Sequence, residues 1–336
     1  MKILNNTSLL AYNTFNIDVN AKCLMEYDSV EELISILDNE VPKFNRFIHI
    51  GGGSNLLFIN DFEGLVVHSL MKGIEVVNDD DNFVWVEAQS GVMWDDFVAY
   101  CVENGWGGVE NLSLIPGEVG AAAVQNIGAY GVEVKDVITQ VNALEIDTLK
   151  SKQFSNEACE YGYRQSVFKS KLKGEYIITS VVFKLERIPQ FQLAYQHLEA
   201  EVLKNGAVTL ENVRKTIIQI RESKLPDPKL LGNAGSFFMN PVVSKELFAS
   251  IQAKHPTMPH YFVSDTEEKI PAGWLIEQCG WKGKQVGSVA VYEKQALVIV
   301  NKGGATGDDV VQLAASIQQS VHESFGITLN AEVNYI

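Results

Sequence analysis

Apolar residues recur along the chain with two different periods, and the switches between them outline a protein of mixed helices and strands. From Ser29 to Leu37 the residues Val30, Leu33, Ile34 and Leu37 share one helical face, behind a Ser29/Glu32 capping box that predicts the helix start. The run FIHI (47–50) reads as a short strand that leads straight into GGGSN (51–55), and LVVHSL (65–70) reads as another. FVWVEA (83–88) predicts a strand, followed by a helix with Trp94, Phe97, Val98 and Cys101 on one face and Gly105 at its end. VITQVNALEI (137–146) and YIITSVVFKL (176–185) predict long strands, so this region is α+β.

A helix over about 211–223 leads to LPDP (225–228), whose two prolines cannot continue it and mark a hinge into a new unit. Beyond it come a short helix near 244–253, a helix at 273–279, the strand ALVIV (296–300) and a helix at 308–325. That last helix is the best marked, with Val310, Leu313, Ala314, Ile317 and Val321 on one face and Gly326 as its stop. The final ITLNAEVNYI alternates and predicts a strand that returns to an earlier sheet.

Composition adds bounds to this outline. A chain of 336 residues, 46% hydrophobic and 21% charged, is expected to fold as two or three globular domains. The formal net charge of −15 argues against general affinity for nucleic acid or an anionic membrane, so an anionic ligand needs a local cluster of cations and N–H groups. Cys23, Cys101, Cys159 and Cys279 are far apart and form no C-x-x-C pair, which predicts reduced thiols and no metal site. Asn5, Asn6, Thr7 and Ser8 interrupt the apolar start, and no run approaches a membrane span. The expected location is cytoplasmic, with no membrane insertion.

Two glycine-rich stretches suggest a ligand. GGGSN after a strand allows a sharp turn whose N–H groups can converge on an anion. IPGEVGAAAVQNIGAYG (115–131) has almost no bulk, so it either packs under another backbone or lets a large flat ligand lie on the main chain. Neither G-x-x-x-x-G-K-[ST] nor a G-x-G-x-x-G between strand and helix is present, which leaves a Rossmann domain unsupported. GNAGSFFMNP (232–241) sets Ser236 between a flexible run and two phenylalanines; on residue type alone such a serine belongs to a turn.

GGGSNLLF, NLSLIPGEVGAAAVQNIGAYG, YRQSVFK, KLPDPKLLGNAGSFFMNP, AGWLIEQCG, EKQALV and the closing AEV occur in one order over about residues 14 to 336. Together they resemble the UDP-N-acetylenolpyruvoylglucosamine reductase family, type I branch, which reduces an enolpyruvyl UDP-sugar with NADPH through non-covalent FAD in peptidoglycan precursor synthesis. The resemblance implies an FAD-binding module of the vanillyl-alcohol-oxidase type over about 18–188, in two lobes and joined by the last strand, 327–336. A tyrosine loop and connecting helix (189–225) and a separate α+β substrate-binding domain (226–326) would follow. Gly52, Gly53, Ser54, Asn55, Ile115, Ala121, Val124, Gln125, Asn126 and Gly128 would bind FAD.

By the same resemblance Arg164 and Glu332 flank the substrate carboxylate, Arg164 as a fixed planar cation and Glu332 as a protonated hydrogen-bond donor. Ser236 would protonate the carbon beside that carboxylate while Phe237 and Phe238 exclude water. Tyr195, Lys224, Asn240, Tyr261, Lys269, Lys282 and Gln295 would hold the diphosphate and uridine, with Tyr195 on a loop that closes over the diphosphate. NADPH would enter the same cleft before the substrate. Two departures stand out: Ala121 and Ala122 occupy positions where some relatives carry hydroxyls, and Gln165 one where relatives often have an acid. Two rivals stay open at this level, another flavin oxidase or dehydrogenase of the same fold and a non-catalytic nucleotide-sugar sensor.

Overall fold

The alternation in Phe83–Gln89 buries Val84, Val86 and Ala88 and leaves the residues between them partly exposed, so one face of this strand must meet a core. It sits inside a five-stranded antiparallel sheet, in the order Ser151–Ser155, Ile138–Glu145, Tyr176–Glu186, Phe83–Gln89, Ile74–Asp79. Val181 is the register centre, opposite Ala88 on one side and Val141 on the other. The computed structural model describes residues 1–195 and 197–336, and the chain divides into two compact units. The first comprises Met1–Thr7, Ala21–Gly52 and Glu63–Ser223; the second comprises Ser8–Asn20, Gly53–Phe62 and Lys224–Ile336.

In the first unit the helix Trp94–Glu103 lays Trp94, Phe97, Val98 and Cys101 on that sheet. The ring of Phe183 meets Phe97 at 4.5 Å and Trp94 at 5.9 Å between centroids. Full burial of each such ring contributes roughly 2–3 kcal/mol, so this cluster is a main source of the unit's stability. A second sheet, in the order Lys2–Ser8, Asn20–Tyr27, Phe62–Ser69, Phe47–Ile50, is covered by the helix Val30–Asn39 through Leu33, Ile36 and Leu37. Ser29 caps that helix by accepting from the Glu32 N–H, while the Glu32 carboxylate accepts from the Asp28 N–H.

In the second unit a four-stranded sheet runs Asn233–Ser236, Val298–Asn301, Val289–Val291, Gln285–Val286, all neighbours antiparallel. A three-stranded sheet runs Val242–Ser244, Glu267–Lys269, Tyr261–Phe262. The helix Gly307–Phe325 buries the five apolar residues that its sequence predicts and ends at Gly326 with φ +69°. A full capping box between Thr306 and Asp309 starts it, which the apolar period does not reveal.

The largest differences from the sequence reading lie at the ends and edges. The final residues form only a two-residue strand, Asn334–Tyr335, parallel to Leu56–Leu57, with an isolated bridge from Ala331 to Phe238. Their partner is itself only two residues long, so no longer ladder can form. Inside the small-residue segment Val119–Gln125 is a helix. Lys2–Ser8, Ile74–Asp79 and Ser151–Ser155 are strands that the pattern missed, because each is a largely exposed sheet edge with little apolar alternation.

Gly307 opens the 307–325 helix where a Cβ would lie 2.2 Å from the Phe58 carbonyl oxygen and 2.5 Å from Ile59 Cα. Helix propensity favours alanine over glycine by about 1 kcal/mol, but forcing two backbones apart costs roughly 1–3 kcal/mol. Gly307→Ala is therefore expected to lower the melting temperature in a thermal unfolding scan, and a rise would show that the contact yields at no cost.

Candidate active site

The first unit brings its two glycine stretches together. A Cβ on Gly52 would lie 3.4 Å from Gly117 Cα, and one on Gly51 would lie 3.1 Å from Ala121 Cβ and 3.3 Å from Glu118 Oε2. The segment 117–120 is laid along 90–94 by hydrogen bonds from Val119 N–H to Val92 O and from Gly120 N–H to Ser90 O. A Cβ on Gly120 would meet Ser90 Cβ at 2.9 Å. Part of the small-residue pattern thus serves backbone packing, the first of the two uses it allows.

The same cradle fits a flat, anionic cofactor. Ala121 is exposed beside Gly51, and among the described residues the Gly52 N–H donates to no protein acceptor. In the second unit the Gly53 N–H likewise has no acceptor among the described residues, and Gly53 is held at φ +63° with its α-carbon against the Tyr12 carbonyl, where a Cβ would lie 1.9 Å from the oxygen. Only glycine can occupy that position. Ser54 follows, half-buried.

Downstream in the first unit, Ile115 and Val124 pack against the main core. The Lys169 ammonium donates to Gln125 Oε1 at 2.6 Å. Asn126 ends the Val119–Gln125 helix at φ +48°, fully buried, donating to Gly162 O at 2.7 Å and accepting from the Lys135 N–H at 3.2 Å. Its carbonyl and that of Gly128 accept from Arg164 Nη1 at 3.3 Å and Nη2 at 2.6 Å. Arg164 itself has φ +55°, an uncommon backbone for a long side chain and one that the guanidinium contacts help to hold. Carbonyl oxygens thus support this arginine; Gln165, where relatives often have an acid, is exposed and exchanges backbone bonds with Gly162. Tyr195 meets Tyr130 edge-on at 5.9 Å, and the Asn111 amide donates both to Tyr130 O and to Gln192 O, tying the tyrosine segment to the 130–131 turn. Its neighbour Gln196 lies outside the described residues.

In the second unit Ser236 ends the strand Asn233–Ser236, exposed, opposite Val298 and directly after Gly235 at φ +68°. Phe237 and Phe238 turn inward, each 1% exposed, with Phe15 against Phe237. They anchor the strand in the unit's core. The Glu332 N–H donates to Phe237 O at 2.8 Å and the Met239 N–H to Asn330 O, so the main chain of AEV runs beside that of the Ser236 strand. Asn55 fixes this segment: its amide donates to Glu332 O at 3.1 Å, and its own carbonyl accepts from the Asn334 N–H.

The residues expected around the diphosphate and uridine are arranged as follows. Asn240 Oδ1 accepts from the Ala272 N–H at 2.9 Å and caps the helix Ala272–Gln278, a service that its own cap residue, Pro271, does not provide. Gln295 reaches the same helix, its Oε1 3.1 Å from where a Cβ of Gly273 would be. Tyr261 and Lys269 are register partners on paired strands, with the ammonium 5.9 Å from the ring centre. Lys282 is exposed and paired to Glu277, and Lys224 is the exposed last residue of the helix Leu210–Lys224. No group of three or more metal-binding side chains occurs among the described residues.

Sequence reasoning missed the polar residues under the cradle, among them His68, whose Nε2 lies 2.9 Å from the buried Glu118 carboxylate. Nothing in LVVHSL separates that histidine from an ordinary strand residue. It also missed the structural work of Asn55. Asn55→Asp removes the donor to Glu332 O and sets a carboxylate against that carbonyl, at a cost of about 1–3 kcal/mol. Amide hydrogen exchange is expected to quicken at Glu332 and Asn334 and to stay unchanged in the 307–325 helix; unchanged exchange at Glu332 would contradict the role.

Two family models match the chain: an FAD binding domain over residues 21–148, and the C-terminal domain of UDP-N-acetylenolpyruvoylglucosamine reductase over residues 227–336. The expected α+β fold with an FAD-binding domain is the fold found. A solved UDP-N-acetylenolpyruvylglucosamine reductase from Thermus caldophilus shares this fold with TM-score 0.69 and 21% identity, over 99% of this chain and 98% of that one. No helix among the described residues is long and apolar enough to cross a membrane. Among curated proteins, the UDP-N-acetylenolpyruvoylglucosamine reductase of Bacteroides fragilis is 52% identical over 98% of both chains, and that of Flavobacterium johnsoniae 50% identical over 100% of both. With identity of that depth along its whole length, and with the glycine cradle and the Ser236 strand built as described, this chain belongs to the UDP-N-acetylenolpyruvoylglucosamine reductase family, and is an oxidoreductase.

Proposed function

We propose that this protein reduces the enolpyruvyl ether of a UDP-N-acetylglucosamine to UDP-N-acetylmuramate, with NADPH as electron donor, in peptidoglycan precursor synthesis. The observation that carries the reading is the pairing of main chains at Phe237 and Glu332, which sets Ser236 and Glu332 on neighbouring backbone segments of one unit. A solvated turn serine and a stray C-terminal glutamate need no such arrangement. An oxidase acting on a small alcohol would have no use for a proton donor beside a carboxyl group.

FAD held there and reduced by NADPH would supply the hydride that adds to the terminal methylene carbon. Negative charge then grows on the adjacent carbon and spreads into the substrate carboxylate. Arg164, held by two carbonyl oxygens, offers that carboxylate a permanent planar cation. Glu332, when protonated, donates to the same carboxylate. Ser236 gives its hydroxyl proton to the carbon, a transfer that asks little of the acid because the centre is strongly basic. Gly52, Gly53, Ser54, Asn55, Ile115, Ala121, Val124, Gln125, Asn126 and Gly128 would hold the cofactor, mainly through main-chain N–H groups where Ala121 carries no hydroxyl. Tyr195, Lys224, Asn240, Tyr261, Lys269, Lys282 and Gln295 hold the diphosphate and uridine. Three lysines among these seven supply the local positive cluster that a protein of net charge −15 requires. On this reading residues of about 18–188 serve the cofactor and 226–326 the substrate, and the enzyme works in the cytoplasm, where NADPH and UDP-sugars are found.

The proton donor separates the two half-reactions. Ser236→Ala is expected to leave oxidation of NADPH nearly normal and to slow conversion of the enolpyruvyl substrate by at least the roughly 10²–10⁴-fold typical of general acid catalysis. Ser236→Cys is expected to recover part of the loss, since a thiol donates from nearly the same place. Stopped-flow records of both half-reactions at the cofactor's visible absorbance decide the point. Slowing confined to NADPH oxidation, or no slowing, would return Ser236 to a turn residue.

A further inference from the structure

Under the glycine cradle of the first unit lies a layer of buried polar side chains for which the proposed chemistry has no use. Glu26, His68 and Glu118 are each less than 9% exposed. His68 Nε2 lies 2.9 Å from Glu118 Oε1 and its Nδ1 3.4 Å from Glu26 Oε1. Beside them Tyr27 Oη lies 2.9 Å from His49 Nε2, and Ser90 Oγ donates to Ser69 Oγ at 3.0 Å. Glu118 precedes the Val119–Gln125 helix without capping it by its side chain, and its other oxygen, Oε2, is the atom that a Cβ on Gly51 would meet at 3.3 Å. A carboxylate therefore touches the backbone turn proposed to receive an anionic cofactor.

The two carboxylates differ in what neutralises them. Glu26 has a second cation, the Lys2 ammonium at 3.0 Å. Among the described residues the Glu118 carboxylate has His68 as its only hydrogen-bond partner. An unneutralised Glu118 would set a buried like charge against the phosphates, which is strongly unfavourable where water is scarce. We propose that His68 is a positioning residue of the FAD site: as an imidazolium it cancels the Glu118 charge beneath Gly51 and Ala121 and holds the 117–121 main chain in the form that accepts an anion. The inference rests on the reading of the cradle as the FAD site.

Protonation of the two strand histidines agrees with this division. Burial opposes charge on His68, but the hydrogen bonds and charges of Glu118 and Glu26 outweigh it and raise its pKa above the ordinary value. Burial, and then the charge of His68, drives His49 down to about 3, so His49 stays neutral. The titratable and charged groups facing His68 are thus Glu26 and, beyond it, Lys2 from the first two strands, Tyr27, His49, and Glu118. Because the folded-state pKa of His68 is raised, the protonated form and its contribution to stability persist below the unfolded value and are lost as pH rises through the folded value.

Titration of the apoprotein with FAD, followed by quenching of flavin fluorescence, tests the proposal without turnover. His68→Gln is expected to weaken binding about tenfold or more, and His68→Gln/Glu118→Gln to recover most of that loss, since it removes the uncompensated charge. Wild-type affinity is expected to fall over the pH range in which NMR of the apoprotein shows the His68 imidazole losing its proton, and Glu118→Gln to flatten that profile. Wild-type affinity in His68→Gln, or no recovery in the double variant, would overturn the proposal. Should His68→Gln fail to fold, a pH profile that is the same in wild type and Glu118→Gln would do so. A wild type that binds no FAD at any pH would instead overturn the reading of the cradle.

Discussion

Two stretches of main chain in the first unit come into contact with no side chain between them, and much of what the protein can do depends on that approach. Gly52 meets Gly117, Gly51 meets Ala121, and Gly120 sits so close to Ser90 that a Cβ there would lie 2.9 Å from the Ser90 Cβ. Removing side chains has two effects at once. It lets Val119–Gln125 wind into a helix tight against the 90–93 turn, and it leaves backbone donors such as the Gly52 N–H without partners among the described residues. A backbone donor that is unpaired within the protein is costly unless solvent or a ligand takes it up. The close packing and the unpaired backbone donors are therefore consequences of the same residues.

The helices were legible in the sequence because each buries one stripe. The Gly307–Phe325 helix shows this most fully, since its five buried apolar residues recur with the helical period and its glycine stop takes a positive φ. The interior strand Phe83–Gln89 was legible for the analogous reason, alternating strictly between buried and partly exposed positions. Legibility failed where burial does not alternate. Asn20–Tyr27 is buried along nearly its whole length, and the edge strands Lys2–Ser8 and Ser151–Ser155 hardly at all, so neither carries a period to read.

At the candidate site the motifs singled out residues but not the structural bonds they make. GGGSN and the 115–131 stretch stood out by their lack of bulk, and Ser236 by its setting between glycines and phenylalanines. The capping of the Ala272–Gln278 helix by Asn240, and the grip of Asn55 on the Glu332 carbonyl, join residues 32 and 277 positions apart in the chain. No local pattern announces such bonds. The phenylalanines after Ser236 show the converse: their apolarity was plain, yet which way they faced was decided by the core they fill. His68 was invisible altogether, because a buried histidine between two acids looks in sequence like any polar interruption of a strand.

On the proposed account a cradle of bare backbone would hold the flavin while Ser236, Glu332 and Arg164 would handle the carboxylate and the proton. Its most direct test is the visible spectrum of the purified protein under anaerobic conditions. The account predicts a flavin spectrum that NADPH bleaches and that the enolpyruvyl UDP-sugar then restores. A colourless protein without affinity for FAD, or a bleached spectrum that this substrate leaves unchanged, would contradict it.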